Sequence, residues 1–267
     1  MSRYYSLIAL TCALLFSPLS RADAQLDELM EKSGLNQQLS MVPAQLMTAL
    51  NKVPDLPEPQ RDLFRNIVDD EFSEARLRKN VQDVLALDLS KDDVNYVLNW
   101  LNSPLGQRFT EAEEEASSPE AMAEMAELAP SLLQEQERVA VLQQLNTAIG
   151  GTEGFMHLMS NITVALVSGM MAYVPAEQRL SEAQIRTGAE QNVAQNKATY
   201  EQYWMAASVY SYRDFTPAEL NAYLAFASSP AGLRYHASSM QAVDSAITMP
   251  ASRALGGRLA RQSAGIK

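Results

Sequence analysis

Residues 89–109 read LSKDDVNYVLNWLNSPLGQRF, and residues 215–235 read FTPAELNAYLAFASSPAGLRY. The two stretches align without a gap at an offset of 126 residues, and 6 of the 21 positions are identical. Other positions carry similar side chains, as where Trp100 aligns with Phe226. The agreement covers both the polar ends and the apolar positions of a helix. The pattern therefore indicates that one helical motif has been duplicated within the chain.

Each copy carries the signals that begin a helix, stop it and begin another. Ser90 with Asp93, and Thr216 with Glu219, have the spacing of a capping box, in which the hydroxyl accepts from the backbone amide three residues on and the acid reaches back. A Ser-Pro pair then stops the helix and starts the next one, with serine as the cap and proline in the first turn. These pairs are Ser103-Pro104 and Ser229-Pro230. We therefore predict two helical corners, corner 1 at residues 89–109 and corner 2 at residues 215–235.

A glycine lies two residues after the proline in each corner, at Gly106 and Gly232. Glycine inside a helix costs about 0.5–1 kcal/mol relative to alanine. We therefore expect the backbone of a neighbouring helix to approach closely at both positions. Trp100 and Phe226, with the aromatic residues that end each corner, are expected to fill the space beside the break.

Each corner also repeats one charged position, Arg108 in corner 1 and Arg234 in corner 2. The first interpretation is structural, because an arginine can pair with a nearby acid or cap helix carbonyl groups. The alternative is a pair of arginines, related by the duplication, that faces a ligand. The sequence leaves both interpretations open.

The rest of the chain is also helical in character. Ala, Leu, Met, Gln and Glu favour helices and are plentiful, whereas the chain has 11 glycines. An apolar stripe with i, i+3, i+4, i+7 spacing begins at Val94. Residues 155–171 are almost continuously apolar, and their interrupting Ser, Asn and Gly favour a core helix over a membrane span. We predict an all-α fold in which two related helical units, residues 25–129 and 130–267, pack as a helical bundle or array.

The corner pattern resembles the bacterial domain-of-unknown-function family twenty fifty-nine (DUF2059). The shared features are a polar cap with an acid three residues on, an apolar helix that ends in an aromatic residue, and then Ser-Pro-x-Gly. Corner 2 is nearer to the family pattern, whereas corner 1 departs from it at Leu101, Asn102 and Leu105. Members of the family are typically exported helical proteins without established catalytic residues. The resemblance therefore implies a helical fold and export, and it implies no active site.

The first 24 residues have the pattern of a secretory signal peptide. Arg3 precedes an apolar run at residues 6–16, and residues 22–24 (ADA) fit a cleavage site, so that Gln25 would begin the mature chain. The apolar run is shorter than the roughly 20 residues that a membrane span needs. We predict a periplasmic protein with a cleavable signal peptide and no transmembrane segment after cleavage. A retained helical anchor is the alternative.

The charge and the cysteine content exclude several classes of function. Cleavage would remove Arg3, Arg21 and Asp23 and change the formal net charge from −11 to −12. A surface of that charge repels phosphate backbones, so no nucleic-acid partner is expected. The chain's single cysteine, Cys12, lies in the signal peptide. The mature chain would therefore have no thiol for a disulfide, a metal site or a nucleophile.

No pattern in the chain has the spacing of a known site, so we predict no catalytic residue, no metal and no cofactor. His157 lies in the apolar run and is predicted to be a core or boundary residue, whereas His236 follows corner 2 and is predicted to be exposed. Residues 150–154 (GGTEG) lack the lysine of a phosphate loop and are predicted to join two helices. Residues 111–115 (EAEEE), with three further glutamates up to Glu127, are predicted to form a solvated acidic face. Weak calcium or cationic-peptide binding there is the alternative.

The C-terminal segment, residues 252–267, contains Arg253, Arg258, Arg261 and Lys267 and no acid. A frayed tail is the first interpretation. Contact with anionic lipid or lipopolysaccharide is the alternative.

Three functional hypotheses follow from these features. The first is a non-catalytic binding or adaptor module of the cell envelope, which would hold an envelope protein or an apolar peptide in a groove between the corners. The 13 methionines are compatible with it, since methionine can form adaptable apolar surfaces, although filling the core is the ordinary use of this residue. The second is a hydrolase or lyase built from dispersed carboxylates and one histidine, which needs that histidine beside an acid in a pocket. The third is a structural or assembly component, which a stable homo-oligomer would distinguish. The oligomeric state itself stays open.

Overall fold

The computed structural model describes residues 18–51, 57–171 and 174–263. The regular structure of these residues is helical, which confirms the predicted all-α class. Most of the predicted signal peptide, including Cys12, and the last four residues of the basic C-terminal segment lie outside the described residues. A single turn of 3-10 helix covers Ala176–Gln178. The α-helices of the described residues are α1 (Pro18–Lys32), α2 (Leu35–Asn51), α3 (Glu58–Glu71), α4 (Glu74–Asp88), α5 (Lys91–Leu101), α6 (Pro104–Ala116), α7 (Pro119–Leu132), α8 (Gln136–Ile149), α9 (Gly151–Met171), α10 (Glu182–Gln195), α11 (Lys197–Ser211), α12 (Pro217–Ala227) and α13 (Pro230–Ser263).

The longest helix, α13, holds the two predicted units together. It packs against α3, α4 and α5 of the first unit and against α8, α9 and α12 of the second. Ala242 and Ala246 of α13 are fully buried. Small side chains four residues apart lie on one helix face and let a neighbouring backbone approach closely. Helix α13 thus has a face of small side chains against which neighbouring helices can pack closely.

Helix α4 supplies the deepest stripe of the core. Leu77, Val81 and Leu85 are spaced by four residues and are fully buried. Helix α1 packs on α4 and α5 and adds Leu29 and Met30 to the same region. Each such side chain contributes about 1.5–3 kcal/mol when it is fully buried, so this stripe is a main source of stability.

Buried side chains from both predicted units belong to one hydrophobic core, which extends along the chain from Leu26 to Ile247. A second, small cluster joins α9 to α10 through Val164, Ile185 and Ala189. The predicted boundary between residues 129 and 130 falls within α7. The division into two units stays a prediction.

The joint between α8 and α9 is built on three glycines. Gly150 has a φ of 64°, the left-handed conformation that commonly ends a helix. Gly151 leaves room for the indole of Trp204, and Gly154 leaves room for the side chain of Met240. The predicted helix joint at residues 150–154 is therefore confirmed, and its glycines also admit two large side chains.

Helix α9 contains the apolar run at residues 155–171, and it packs against α8, α10, α11 and α13. Its Phe155, Met156 and Met159 are only half-buried, whereas Ser160 is buried. Among the described residues, no helix combines the length and the hydropathy that crossing a membrane requires. Helix α9 is thus a partly covered apolar helix of the fold.

Candidate functional site

The two corners begin with capping boxes that contain the same hydrogen bonds. The Asp93 amide donates to Ser90 Oγ at 3.2 Å, and the Ser90 amide donates to Asp93 Oδ2 at 3.1 Å. In corner 2 the Glu219 amide donates to Thr216 Oγ1 at 3.3 Å, and the Thr216 amide donates to Glu219 Oε2 at 2.8 Å. The helices that these boxes begin, α5 and α12, both have 11 residues.

Both helices also end and restart through the same contacts. In corner 1 the Ser103 hydroxyl donates to the Trp100 carbonyl at 2.6 Å and accepts from the Gly106 amide at 3.0 Å. Corner 2 repeats both contacts at the same distances, 126 residues further along the chain. The helices that restart, α6 and α13, begin at Pro104 and Pro230. The serine therefore satisfies the end of one helix and the beginning of the next.

The two corner glycines are needed because the restarting helix touches the end of the helix before it. A Cβ on Gly106 would lie 2.1 Å from the carbonyl oxygen of Trp100, and one on Gly232 would lie 2.1 Å from that of Phe226. These oxygens belong to the backbone, so no side-chain movement could relieve the overlap. The close backbone approach expected at both glycines is thus made by the preceding helix.

Aromatic side chains bring the two corners together. The Trp100 ring stacks on the Phe226 ring, with centroids 4.8 Å apart and planes 7° apart. These residues hold the same position in the motif, so the contact lies where a two-fold axis relating the corners would pass. Tyr223 stacks on Trp100 at 5.8 Å, and Tyr96 stacks on Phe226 at 6.1 Å. The apolar groove that we expected between the corners is therefore filled by their own rings.

A second aromatic layer continues from Phe109, at the end of corner 1. Its ring stacks on Phe215 with centroids 3.9 Å apart, and it lies 4.5 Å from Tyr223. The edge of Tyr212 meets it at 5.4 Å. Aromatic pairs of this kind contribute about 0.5–1.5 kcal/mol each beyond the burial of their surface. The aromatic residues thus fix how the corners face each other, rather than only filling the space beside each break.

The charged positions of the corners are paired reciprocally. Arg234 of corner 2 donates to Asp93 of corner 1, with its Nε 3.1 Å from both carboxylate oxygens and its Nη2 on Oδ1. Arg108 of corner 1 donates through Nη1 to Glu219 of corner 2. Each arginine therefore binds the capping-box acid of the other corner. This geometry supports the structural interpretation of the two arginines.

The reciprocal contacts lower the pKa of both acids, although the two acids differ in exposure. Hydrogen bonds from Arg234 and from its capping-box serine lower the pKa of Asp93 to about 2. The Thr216 backbone amide and Arg108 lower the pKa of Glu219 to about 2. The Asp93 side chain is 5% exposed and that of Glu219 is 26% exposed. Water and salt therefore screen the carboxylate of Asp93 less than that of Glu219, while the two arginines are exposed to a similar extent.

The acidic stretch at residues 111–115 is solvated at Glu111 and Glu115, as predicted, whereas Glu113 departs from the prediction. Glu113 Oε1 accepts hydrogen bonds from the hydroxyls of Tyr212 at 2.6 Å and Tyr223 at 3.1 Å. Burial raises the pKa of Glu113, and the two tyrosine hydrogen bonds oppose that rise. Helix α11 packs against α6. Tyr212, directly after α11, and Tyr223, in α12, therefore both reach Glu113. A run of glutamates does not show which member a neighbouring helix will cover.

Two more acids of the predicted acidic face are bound by side chains of α11 and the turn after it. The Tyr210 hydroxyl donates to Glu124 at 2.6 Å, and Arg213 Nη2 lies 2.9 Å from Glu115. The sequence signal that could have found these contacts is the run YSYR at residues 210–213, which places hydroxyls and a guanidinium on one short segment. Glu120, Glu124 and Glu127 are exposed, as expected.

Both histidine placements were predicted wrongly. His157 is exposed, because it lies on the uncovered side of α9. His236 lies against the edge of Phe226 and beside Tyr235, its Nε2 is buried without a hydrogen-bond partner, and burial lowers its pKa to about 4. Helix α13, which carries His236, packs on α4, α5 and α12. Within the described residues, neither histidine has a hydrogen bond or ion pair with a carboxylate.

Two cavities accompany these elements. One of about 10 Å³ lies beside Glu113, between α6 and the start of α2, and has roughly the room of one water molecule. The other is an open groove of about 480 Å³ between α1 and α4, lined by charged side chains around Met30. In the part of the chain that the structure describes, no group of three or more His, Cys, Asp or Glu residues could hold a metal ion.

An exposed aromatic side chain of α11 also lies beside two half-buried aromatic rings. Phe155 of α9 lies 5.6 Å from the ring of Tyr200 and 6.4 Å from that of Tyr203, both on α11. Tyr203 is 46% exposed. We call these three residues the aromatic surface. No sequence pattern singled them out, because they lie on two helices that only the fold brings together.

Comparison with known proteins supports the resemblance found in the sequence. Residues 75–135 match a family described as an uncharacterized protein conserved in bacteria, DUF2059. This segment is DUF2059-like. It contains corner 1, so the match does not support our ranking of corner 2 as nearer to DUF2059. It also leaves the duplication of the motif as a prediction. No curated protein and no solved structure matches the chain.

Proposed function

We propose that this chain is a non-catalytic binding module of the cell envelope, in which the paired corners are the scaffold and the aromatic surface contacts the partner. The observation that carries the proposal is the exposure of Tyr203 beside Phe155 and Tyr200, on two helices that pack against the main core. Tyrosine is enriched at protein interfaces because its ring is apolar while its hydroxyl tolerates water. A partner could therefore bury these rings at little cost in side-chain freedom.

The chemistry of the partner follows from the neighbouring residues. Met156 and Met159 of α9 are half-buried and belong to the same apolar helix as Phe155. Methionine side chains adapt to apolar groups of different shapes. An envelope protein that presents an apolar segment, or an apolar peptide, fits this surface best.

The corners themselves are better suited to a scaffold than to a binding site. Their acids and arginines bind each other, and their serines and glycines form the break between helices. Trp100 and Phe226 are stacked together. A ligand at the corners would have to displace these contacts, whereas a ligand on the aromatic surface would not.

No specific observation among the described residues favours the hydrolase or lyase hypothesis. That hypothesis needs a histidine within hydrogen-bond reach of an acid in a pocket. His157 is exposed, and the Nε2 of His236 is buried beside aromatic rings without a partner.

We also propose that the chain is exported and that cleavage after residue 24 leaves its core intact. Asp23 and Ala24 are exposed, and Leu26 is the first residue of the core that the structure describes. The mass of the protein recovered from the periplasm tests this. We expect a chain that begins at Gln25, and recovery of the uncleaved chain in the membrane fraction would contradict it.

A photo-reactive residue placed at Tyr203 tests the binding function in cells. The matched control carries it at Leu180, which is 47% exposed and lies outside the aromatic surface. We expect a covalent adduct with another envelope protein from position 203 and none from position 180. A second substitution, Tyr200→Ser, should reduce the adduct at position 203 while helical content is unchanged. Equal adducts from both positions, or adducts that Tyr200→Ser does not alter, would show that the aromatic surface is not the binding site.

A further inference from the structure

The two reciprocal ion pairs define two sides of the corner pair that the 126-residue offset relates to each other. Side A contains Asp93 and Arg234, and side B contains Glu219 and Arg108. The two sides have the same backbone contacts, so any residue that only one of them carries is not required by the corner. Each side therefore serves as an internal control for the other.

Side A carries exposed apolar side chains that side B lacks. Leu87, Tyr96 and Leu233 are 86%, 47% and 44% exposed, and each lies within six residues of Asp93 or Arg234. We call these three residues the side A patch. The equivalent positions on side B are Arg213, Ala222 and Gln107. Since polar or small residues suffice at the equivalent positions of side B, the contacts that the corners share do not require the patch, although the ring of Tyr96 also stacks on Phe226. The Asp93–Arg234 ion pair brings the segments of Tyr96 and Leu233 together, and exposed apolar residues that lie together mark interaction surfaces.

The charge around the patch indicates what it binds. Asp88 and Asp92 are exposed close to Leu87 and Tyr96 in the sequence, and they outnumber the exposed Lys91 between them, while Arg234 is paired with Asp93. The chain also separates its charges, because residues 252–267 carry four basic residues and no acid, which leaves residues 25–251 with a formal net charge of −16. An apolar and basic segment would be attracted to the side A patch and would cover it.

Residues 252–267 are such a segment. Leu255 and Leu259 are four residues apart in the sequence, the spacing of one apolar stripe on a helix, and the basic residues lie before, between and after them. The backbone of α13 is helical as far as Ser263. The segment therefore offers both properties that the side A patch requires.

The length of α13 prevents the segment from reaching the patch of its own chain. Leu233 lies in the first turn of this helix, and Ser263 is its last residue. At about 1.5 Å per residue, residue 252 is roughly 28 Å and residue 263 roughly 45 Å along the helix from Leu233. Only the segment of another molecule can reach the patch.

We propose that the side A patch binds residues 252–267 of a second copy of this chain. The contact is head-to-tail, so its two halves are different surfaces and it can extend from one molecule to the next. It uses neither the aromatic surface nor the envelope partner, so it can hold or fail independently of the proposed function.

Sedimentation of the mature chain tests the contact in solution. We expect the chain to associate as its concentration rises at roughly 0.05 M salt and to dissociate at roughly 0.5 M, because the attraction is electrostatic. A chain that ends at residue 251 should stay monomeric. Leu87→Arg introduces on side A the residue type that side B carries at the equivalent position, Arg213. Because Leu87 is 86% exposed, this substitution should abolish association without altering the fold. The matched control, Tyr203→Ser, should associate as the unmodified chain does.

A labelled peptide of residues 252–267 tests the partner directly, by fluorescence anisotropy with the chain that ends at residue 251. We expect Leu87→Arg and Tyr96→Ser each to weaken peptide binding by about tenfold, the effect of roughly 1.4 kcal/mol. Equal binding to the unmodified and Leu87→Arg proteins would overturn the proposal. So would association of the shortened chain, or a peptide that binds phosphatidylglycerol vesicles and not the protein.

Discussion

Corner 1 and corner 2 share their capping hydrogen bonds, their glycine contact and the position of their central ring, yet the helices that leave them differ greatly in length. Helix α6 ends after 13 residues, whereas α13 continues for 34. The difference has a local cause. After corner 1, Ser118 caps a new helix that begins at Pro119. After corner 2, the equivalent residues are Asp244 and Ser245, so no Ser-Pro pair interrupts the helix. About twenty residues of sequence therefore determine the structure of each corner, whereas the residues after the corner determine the length of the helix that follows.

The largest effect that the comparison predicts is at the corner glycines. Gly106→Ala and Gly232→Ala should each lower the free energy of unfolding by about 3 kcal/mol or more, because the added Cβ overlaps a backbone carbonyl in both corners. Chemical denaturation measures the change. Gly188→Ala is the matched control, since nothing lies within 4 Å of its Cβ position on α10, and it should stabilise by up to about 1 kcal/mol. A large effect at only one corner would show that the corners are not equivalent.

The next effect distinguishes the two capping-box acids. Asp93→Asn should lower the free energy of unfolding by about 2 kcal/mol, since it weakens hydrogen bonds of a nearly buried carboxylate to Arg234 and to its own cap. Glu219→Gln should cost less, because its carboxylate is better screened by water. Thermal or chemical unfolding of the two variants compares them, and a larger loss from Glu219→Gln would contradict the difference in burial.

The pH dependence of stability tests the same pair. The pKa of Asp93 is lower in the folded chain than its ordinary value of 3.8, so the pair stabilises the fold above about pH 4 and the contribution is lost as the pH falls towards 2. In Asp93→Asn this part of the acid sensitivity should be absent. If the unfolding curves of both proteins shift equally between pH 4 and pH 2, Asp93 is not held as described.

Glu113 should respond to pH in the opposite direction. Burial raises its pKa in the folded chain, so ionisation opposes folding, and the stability present below its ordinary pKa is lost as the pH rises through the folded value. Glu113→Gln keeps an acceptor for Tyr212 and Tyr223 and removes the charge. We expect unfolding measurements to show similar stability at low pH and a modest advantage for the variant near pH 7. A variant that is less stable than the unmodified chain near pH 7 would contradict this.

The smallest effect concerns side A. Leu87→Arg should change the free energy of unfolding by less than about 0.5 kcal/mol, because the side chain is 86% exposed and the equivalent position of side B already carries Arg213. Tm and helical content measure the change. A loss of more than 1 kcal/mol would mean that Leu87 supports the fold, and it would then be unsuitable for testing association.

The sequence predicted the local structure of the corners and missed what the fold brings together. The capping boxes, the Ser-Pro breaks and the glycines are read from spacing alone, because each depends on residues within one or two helical turns. The pairing of Arg108 with Glu219 joins residues 111 positions apart, and that of Arg234 with Asp93 joins residues 141 apart. No local spacing reports such contacts.

The same limit explains the placements that were wrong. Glu113 and its exposed neighbours have the same residue type, and only the approach of Tyr212 and Tyr223 distinguishes them. His236 was predicted to be exposed because it follows a break, but α13 turns that position towards the rest of the core. The apolar run of α9 was recognised as a helix, whereas the amount of it that stays uncovered depends on α10 and α11.

Reciprocal pairing of the two corners is the central claim, and double-mutant cycles test it most directly. The cycle of Asp93→Asn with Arg234→Gln should give a coupling energy on the order of 1 kcal/mol, and that of Glu219→Gln with Arg108→Gln should give a smaller coupling. Cycles within one corner, Asp93 with Arg108 and Glu219 with Arg234, should give none. Coupling within the corners and none between them would contradict the account.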